Sequence, residues 1–216
     1  MIPFNKVLDP DDFTALSREL TLVDQYFGCA KEQHPMRRWE YALAIAASDH
    51  WSDQAATQTH RLIDVGGAGS PFLRTAYAAG WLPTLVDPAE TYDLETYLNS
   101  RPRLADVVTC ISVLEHIPDL DRFCYHLGCL VAPGGLLFLT VDYCDGFANA
   151  LDNFRVPDTY HYHWDRQRIF NVFTLSQLTA QFLRRDFSLF GETDYTWHGP
   201  QVKDYTFASL ALIKRV

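Results

Sequence analysis

The sequence predicts one α/β domain built on a doubly wound, mostly parallel sheet with an antiparallel last strand, preceded by a helical N-terminal cap. Three observations predict it. From Arg61 onward, short apolar runs alternate with helical segments, the pattern of a parallel sheet covered on both faces. A glycine-rich turn, Gly66 to Gly69, joins the first of these runs to a helix. The 216 residues suffice for one core and fall short of two full enzyme domains.

The elements follow in order. Asp9 is a good N-cap, Pro10 suits a first helical position, and Phe13, Leu16, Leu20, Val23 and Phe27 form one apolar stripe, so a single helix is expected up to Phe27. A second helix is expected from Met36 to Ser48, carrying Trp39, Tyr41, Leu43 and Ile45; together they make the cap, residues 1–60, with the sheet domain spanning 61–216. Leu62 to Val65 reads as a strand. Ser70 and Pro71 open a helix that Gly80 stops, and Leu82 to Asp87 is the next strand. Only 18 residues separate Asp87 from Asp106, too few for a full helix and strand, so either a vestigial strand lies around Tyr92-Asp93-Leu94 or the helix before it is reduced. Asp106 to Ile111 is a buried strand, and Leu120, Phe123, Leu127 and Leu130 mark the next helix. Pro133-Gly134-Gly135 turns into the strand Leu136 to Val141. After a long aromatic connection, Thr174 to Gln177 supplies a capping box for a helix through Phe182. Strands Phe187 to Phe190 and Tyr205 to Ile213 close the chain. No helical pattern links them, so the last strand is expected to run antiparallel inside the sheet.

Composition narrows the partners. With 48% hydrophobic and 21% charged residues the chain can bury a core, which excludes intrinsic disorder. The formal charge of -9 argues against nucleic acid or an anionic membrane and favours a small-molecule or sugar ligand. No apolar run approaches the roughly 20 residues of a membrane span, and the first residues have no apolar signal core, so a cytoplasmic location is expected. The five cysteines have no C-x-x-C spacing, which suggests reduced thiols and neither a disulfide framework nor a zinc ribbon.

The turn Asp64-Val65-Gly66-Gly67-Ala68-Gly69-Ser70 stands between a strand and a helix. Small residues there let backbone N–H groups approach a ligand at the carboxyl edge of the sheet. Asp87 ends the next strand 23 positions after Asp64, where a carboxylate can accept both hydroxyls of a ribose. A dinucleotide and S-adenosylmethionine both fit these features. The dinucleotide fingerprint G-x-G-x-x-G fails in either register, because Pro71 or Phe72 stands where its third glycine belongs.

The sequence here resembles the class I S-adenosylmethionine-dependent methyltransferases, whose Rossmann-like fold ends in a reversed strand. The turn is similar to their D-x-G-x-G-x-G motif, with Ala68 and Ser70 in place of the second and third glycines. Ile111-Ser112-Val113-Leu114-Glu115-His116-Ile117 resembles their "S-V-L-E-H" segment, and Ala132-Pro133-Gly134-Gly135-Leu136-Leu137 their "L-x-P-G-G" strand entry. The likeness covers Arg61 to Val216. Arg38-Trp39-Glu40-Tyr41 and Gly69-Ser70-Pro71-Phe72 also look like a bacterial subgroup associated with glycan or other small-molecule biosynthesis. The resemblance implies S-adenosylmethionine as cofactor and S-adenosylhomocysteine as product. It implies cofactor contacts at Asp64, Gly66, Gly67, Ala68, Gly69, Asp87, Pro88, Leu94, Ile111, Ser112 and Glu115. The reaction expected is methyl transfer to an oxygen or nitrogen of a small metabolite or sugar. Two rivals are an inactive methyltransferase-like partner subunit, for which the altered Ala68 and Ser70 are the hint, and a nicotinamide-dependent oxidoreductase.

Candidate proton acceptors are His116, His161 and His163, since an imidazole titrates near neutrality. The segment Tyr160-His161-Tyr162-His163-Trp164-Asp165 is placed to cover the carboxyl edge as a lid or substrate wall. Substrate contacts are expected from Arg38, Trp39, Tyr41, Tyr143, Tyr160 and Trp164. No metal is expected, because His161 and His163 lack further ligands at a recognised spacing.

Overall fold

A computed structural model describes residues 3–9, 11–27, 37–55, 60–143, 175–195 and 206–216. The elements run β1 (Asn5–Val7), α1 (Asp12–Ala15), α2 (Ser17–Phe27), α3 (Arg37–Gln54), β2 (Arg61–Val65), α4 (Phe72–Ala78), β3 (Leu82–Val86), α5 (Leu94–Asn99) and β4 (Ala105–Ile111). A 3₁₀ turn (Leu114–His116), α6 (Leu120–Leu130), β5 (Val131–Tyr143), α7 (Leu175–Leu183), β6 (Phe187–Leu189), β7 (Thr193–Asp194) and β8 (Thr206–Lys214) follow. The strands form one sheet in the order β3-β2-β4-β5-β8-β1-β7, with β6 pairing β8. β2, β3, β4 and β5 are parallel, whereas β8 is antiparallel to β5 and to β6.

The expected doubly wound sheet is therefore present, and its central strands are apolar on both faces. On β5, Leu137 and Leu139 face one core with α6 and α7, while Leu136 and Phe138 face the other with α2, α3 and α4. α3 is buried almost all round: every residue from Trp39 to Ile45 is enclosed, which places it between the sheet and α2. It runs six residues beyond the expected end at Ser48. Two indole N–H bonds hold that extension: Trp51 Nε1 donates to the Gly134 carbonyl at 3.0 Å, and Trp81 Nε1 donates to Asp49 Oδ1 at 3.2 Å.

Local signals explain α4 fully. Ser70 Oγ accepts the Phe72 N–H at 3.1 Å, and Gly80, at φ +96°, ends the helix. The Trp81 N–H reaches the Ala76 carbonyl and the Gly80 N–H the Tyr77 carbonyl, a Schellman closure that satisfies the last carbonyls. Three expectations are corrected. The first helix is two helices, because Leu16 leaves the helical region at φ -98° and ψ 21°. No strand lies around Tyr92 to Leu94; Asp93 there accepts the Thr96 N–H at 2.9 Å and caps α5. A strand not expected at all, β1, pairs antiparallel with β8 and parallel with β7. Asn5 secures it, its amide donating to the Phe190 carbonyl at 2.7 Å and its Oδ1 accepting the Ala211 N–H at 2.8 Å.

Candidate active site

The parallel strands bring their carboxyl ends together, and there a cleft of about 600 Å³ opens. Val65 and Gly66 come from the end of β2, Val86, Asp87 and Pro88 from the end of β3, and Ser112 and Val113 from beyond β4. The outer wall is formed by α5 and by the segment from His116 to His126.

The floor of the cleft is a turn that needs glycine at Gly66, at Gly67 and, with φ +71°, at Gly69. Gly66 sits at φ +83°, a region costly to other residues, and a Cβ there would overlap both methyls of Val113. A Cβ on Gly67 would overlap the Asp64 carboxylate oxygen Oδ2. Ala68 and Ser70 are not at positive φ, so replacing glycine at these positions costs the turn nothing in backbone conformation. Ala68 contributes its N–H, which donates to Asp87 Oδ2 at 3.0 Å, while the Ala89 N–H donates to Oδ1 at 2.8 Å. These bonds fix the Asp87 carboxylate at the rim with lone pairs left over on both oxygens. The Gly69 N–H donates to Glu90 Oε1 at 2.8 Å.

Asp64 lies beneath the turn. Burial pushes its carboxyl up to about 7, eased by the Thr109 hydroxyl that donates to Oδ1 at 2.7 Å and by Arg37, and augmented by the Asp87 charge. Beside it, burial pushes the Tyr41 phenol up to about 12, with Arg37 acting in the opposite sense.

Of the cofactor residues expected from the sequence, Gly66, Asp87, Pro88, Leu94 and Ser112 line the cleft, and Gly67, Ala68 and Gly69 continue its turn. Asp64, Ile111 and Glu115 are buried behind it. His116 lines the cleft at the 3₁₀ turn. His161, His163, Tyr160 and Trp164 lie outside the described residues, and so does the side chain of Tyr143 at the end of β5.

The cap residues Arg38, Trp39 and Tyr41 do not line the cleft. Trp39 is fully buried, with Nε1 donating to Asp12 Oδ2 at 2.9 Å, so it is a core residue that no substrate in the cleft can touch. Tyr41 is enclosed between Phe27 and Phe72, and its hydroxyl bonds to Ser70. It supports the glycine turn from below and does not line the cleft. The Arg38 guanidinium is held by Asp24, with Nε to Oδ1 at 2.6 Å, and does not line the cleft.

Sequence reasoning missed Glu40. It is wholly buried in α3, and its Oε1 accepts the hydroxyls of Ser112 and Thr140. A lone acid inside the apolar run Trp39 to Ile45 was the available signal. Among the described cysteines, Cys110 and Cys124 are buried, and burial raises Cys110 well above the usual range and Cys124 to about 12, away from a reactive thiolate. No helix among the described residues is long and apolar enough to cross a membrane.

Comparison with known proteins adds a family. The methyltransferase-domain family matches residues 23–190, more than three quarters of the chain. Curated ubiquinone biosynthesis O-methyltransferases of Xanthomonas campestris pv. campestris are 26% identical over 147 aligned residues, covering 59% of this chain. The chain spans 60% of the length of these relatives. Among solved structures, Burkholderia thailandensis 1,6-didemethyltoxoflavin-N1-methyltransferase with bound 1,6-didemethyltoxoflavin and S-adenosylhomocysteine is similar at a TM-score of 0.53 and 15% identity, over 97% of this chain and 92% of that one. The plantazolicin methyltransferase BpumL in complex with S-adenosylhomocysteine is similar at a TM-score of 0.55 and 12% identity, over 95% and 98% of the two chains. At these identities the likeness establishes a common fold.

Proposed function

This chain belongs to the methyltransferase-domain family, and we propose that it transfers the methyl group of S-adenosylmethionine to an oxygen or nitrogen of a small metabolite or sugar, leaving S-adenosylhomocysteine. The observation that carries this reading is the cleft at the carboxyl ends of β2, β3 and β4, with a glycine turn for its floor and the Asp87 carboxylate fixed at its rim. The residues present fit an adenosyl cofactor. Asp87 keeps acceptor capacity for ribose hydroxyls, Leu94 and Phe123 offer apolar wall to a purine, and Gly66 leaves its backbone open to close approach. When bound, the cofactor supplies a sulfonium methyl that a nucleophile can displace in line.

The protein's own work is then alignment and proton handling. Holding the acceptor against the methyl in a fixed orientation can supply much of the acceleration, because a bimolecular encounter becomes an intramolecular one. The net charge of -9 supports a small acceptor over a nucleic acid. His116, on the cleft wall, is the described residue best placed to take a proton from a hydroxyl acceptor, with His161 and His163 as the other candidates. The named activities of the similar proteins, an O-methyltransferase of ubiquinone biosynthesis and a 1,6-didemethyltoxoflavin-N1-methyltransferase, support oxygen or nitrogen as the methylated atom. The inactive-subunit alternative loses its hint, since Ala68 and Ser70 both serve the turn: the Ala68 N–H donates to Asp87, and Ser70 Oγ accepts the Phe72 N–H where α4 begins.

Calorimetric titration tests the reading directly. S-Adenosylmethionine and S-adenosylhomocysteine are expected to bind and NAD is not; selective binding of NAD, or of none of the three, would overturn it. Asp87→Ala is expected to weaken S-adenosylhomocysteine binding about tenfold or more, the worth of a charge-assisted hydrogen bond. It should also lower stability, because the Ala68 and Ala89 N–H groups lose their acceptor. Unchanged affinity in a folded variant would remove Asp87 from the site. With an acceptor that the wild-type enzyme methylates, His116→Ala is expected to lower kcat about a hundredfold and to abolish the acidic limb of the rate profile, at near wild-type cofactor affinity. A raised KM with kcat intact would make His116 a wall of the substrate pocket instead.

A further inference from the structure

Glu40 combines features that packing alone does not require. Its side chain is wholly buried, yet Oε2 has no hydrogen-bond partner among the described residues, and Arg37 Nη1 approaches it only to 3.6 Å. Burying a carboxylate is costly, and a buried ion pair is weak evidence for stability. What Glu40 does make is two bonds through Oε1, from Ser112 Oγ at 2.5 Å and from the Thr140 hydroxyl. Ser112 is held a second time through its backbone, since its N–H donates to the Thr140 carbonyl at 3.0 Å and to Thr140 Oγ1 at 3.1 Å.

The residue so clamped is strained. Ser112 has φ +48°, in the left-handed region that a side chain makes unfavourable, and it lines the cleft. Its conformation aims the next residue. Val113 lies against Gly66 so closely that no Cβ would fit between them, which sets the shape of the wall where β2 and β4 end. Relaxation of Ser112 to negative φ would swing that peptide and draw Val113 off the glycine turn.

We propose that Glu40 is a positioning residue: through the hydroxyls of Ser112 and Thr140 it holds Ser112 in the left-handed conformation that sets Val113 against Gly66 and shapes the cofactor cleft. The inference rests on the proposed function, because the cleft it shapes is the one assigned to the adenosyl cofactor.

The experiment is calorimetric titration with S-adenosylhomocysteine, with the melting temperature read for every variant. Wild-type binding comes first: if it is absent, the proposed function fails independently of Glu40. Given wild-type binding, Glu40→Met, which keeps length and removes the acceptor, is expected to weaken it at least tenfold. Glu40→Gln, whose amide oxygen can accept from both hydroxyls, should stay within about threefold of wild type. Adding Ser112→Gly to Glu40→Met should recover part of the loss, since glycine reaches the left-handed conformation without a clamp. If Glu40→Met does not fold, Thr140→Val removes one arm of the clamp at nearly equal volume and is expected to weaken binding several-fold. Full affinity in Glu40→Met, or in Thr140→Val where Glu40→Met is unfolded, would overturn the proposal. So would a Glu40→Gln variant as weak as Glu40→Met, because charge and not the acceptor would then matter.

Discussion

Gly66→Val is expected to reduce S-adenosylhomocysteine binding more than a hundredfold, to below calorimetric detection. Two effects act together. A β-branched residue at φ +83° is an outlier that costs the turn several kcal/mol at most and about 1–2 kcal/mol at least, by the general penalty of the left-handed region. Its side chain must also displace Val113, whose methyls occupy the space that any Cβ at this position requires. Either Val113 is driven into the cleft or the turn is pushed away from Asp87, and both close the region where a cofactor would lie. Gly66→Ala shares the overlap, so it should lose most of the affinity as well, and Val113→Ala in the same chain should restore part of it. Retention of wild-type affinity by the valine variant would mean that the turn is only a connection between β2 and α4.

The parts of the fold that could be read from the sequence are those whose signals are local. β2, β4 and β5 each carry a short apolar run, Leu62-Ile63, Val107-Val108 and Leu136 to Leu139, and α4 carries its own start at Ser70 and its own stop at Gly80. β1 had no such signal. Three residues containing a lysine and an asparagine make a strand only because Ser209, Ala211 and Phe190 supply partners about two hundred positions away. α5 was readable in principle, since Asp93 caps it through Thr96 and Glu95 stands in its first turn, but the expectation of a third parallel strand displaced that reading.

The site divides along the same line. The glycine turn and Asp87 belong to one strand–turn–helix–strand unit, so their spacing carries them. The Glu40 clamp joins Glu40 on α3 to Ser112 just beyond β4 and to Thr140 on β5, 72 and 100 positions away, and no local spacing connects the three. Trp39 shows the converse error. The resemblance of Arg38-Trp39-Glu40-Tyr41 to a family segment carried the expectation of a substrate contact, but whether an indole faces a cleft or a core depends on its partner, and its Nε1 finds Asp12 on α1, 27 positions earlier.

That partner is the centre of a buried network on which the second large effect is expected. Asp12 Oδ1 pairs with the Lys6 ammonium, and Oδ2 accepts the Trp39 indole N–H and the Asp9 N–H at 2.9 and 3.0 Å. The side chains of Lys6 and Asp12 are only 7% and 5% exposed, so removal of either partner strands a charge without water. Asp12→Ala is therefore expected to destabilise the fold by about 3–5 kcal/mol, which for a chain of this size lowers the melting temperature by roughly 6–20 °C. The pair itself should be dispensable, since two charges taken out of water cost nearly what their attraction returns. Lys6→Met with Asp12→Leu should then recover most of the loss, the bonds from the Trp39 and Asp9 N–H groups being the part it cannot replace. Urea unfolding of the single and double variants measures both. A loss below about 1 kcal/mol in Asp12→Ala would mean that water reaches Lys6 and that β1 is not held by this charge. The network and the Glu40 clamp meet in α3, where the Trp39 indole, bonded to Asp12, immediately precedes Glu40, bonded to Ser112, so the Asp12 and Glu40 variants should both be read for melting temperature as well as for binding.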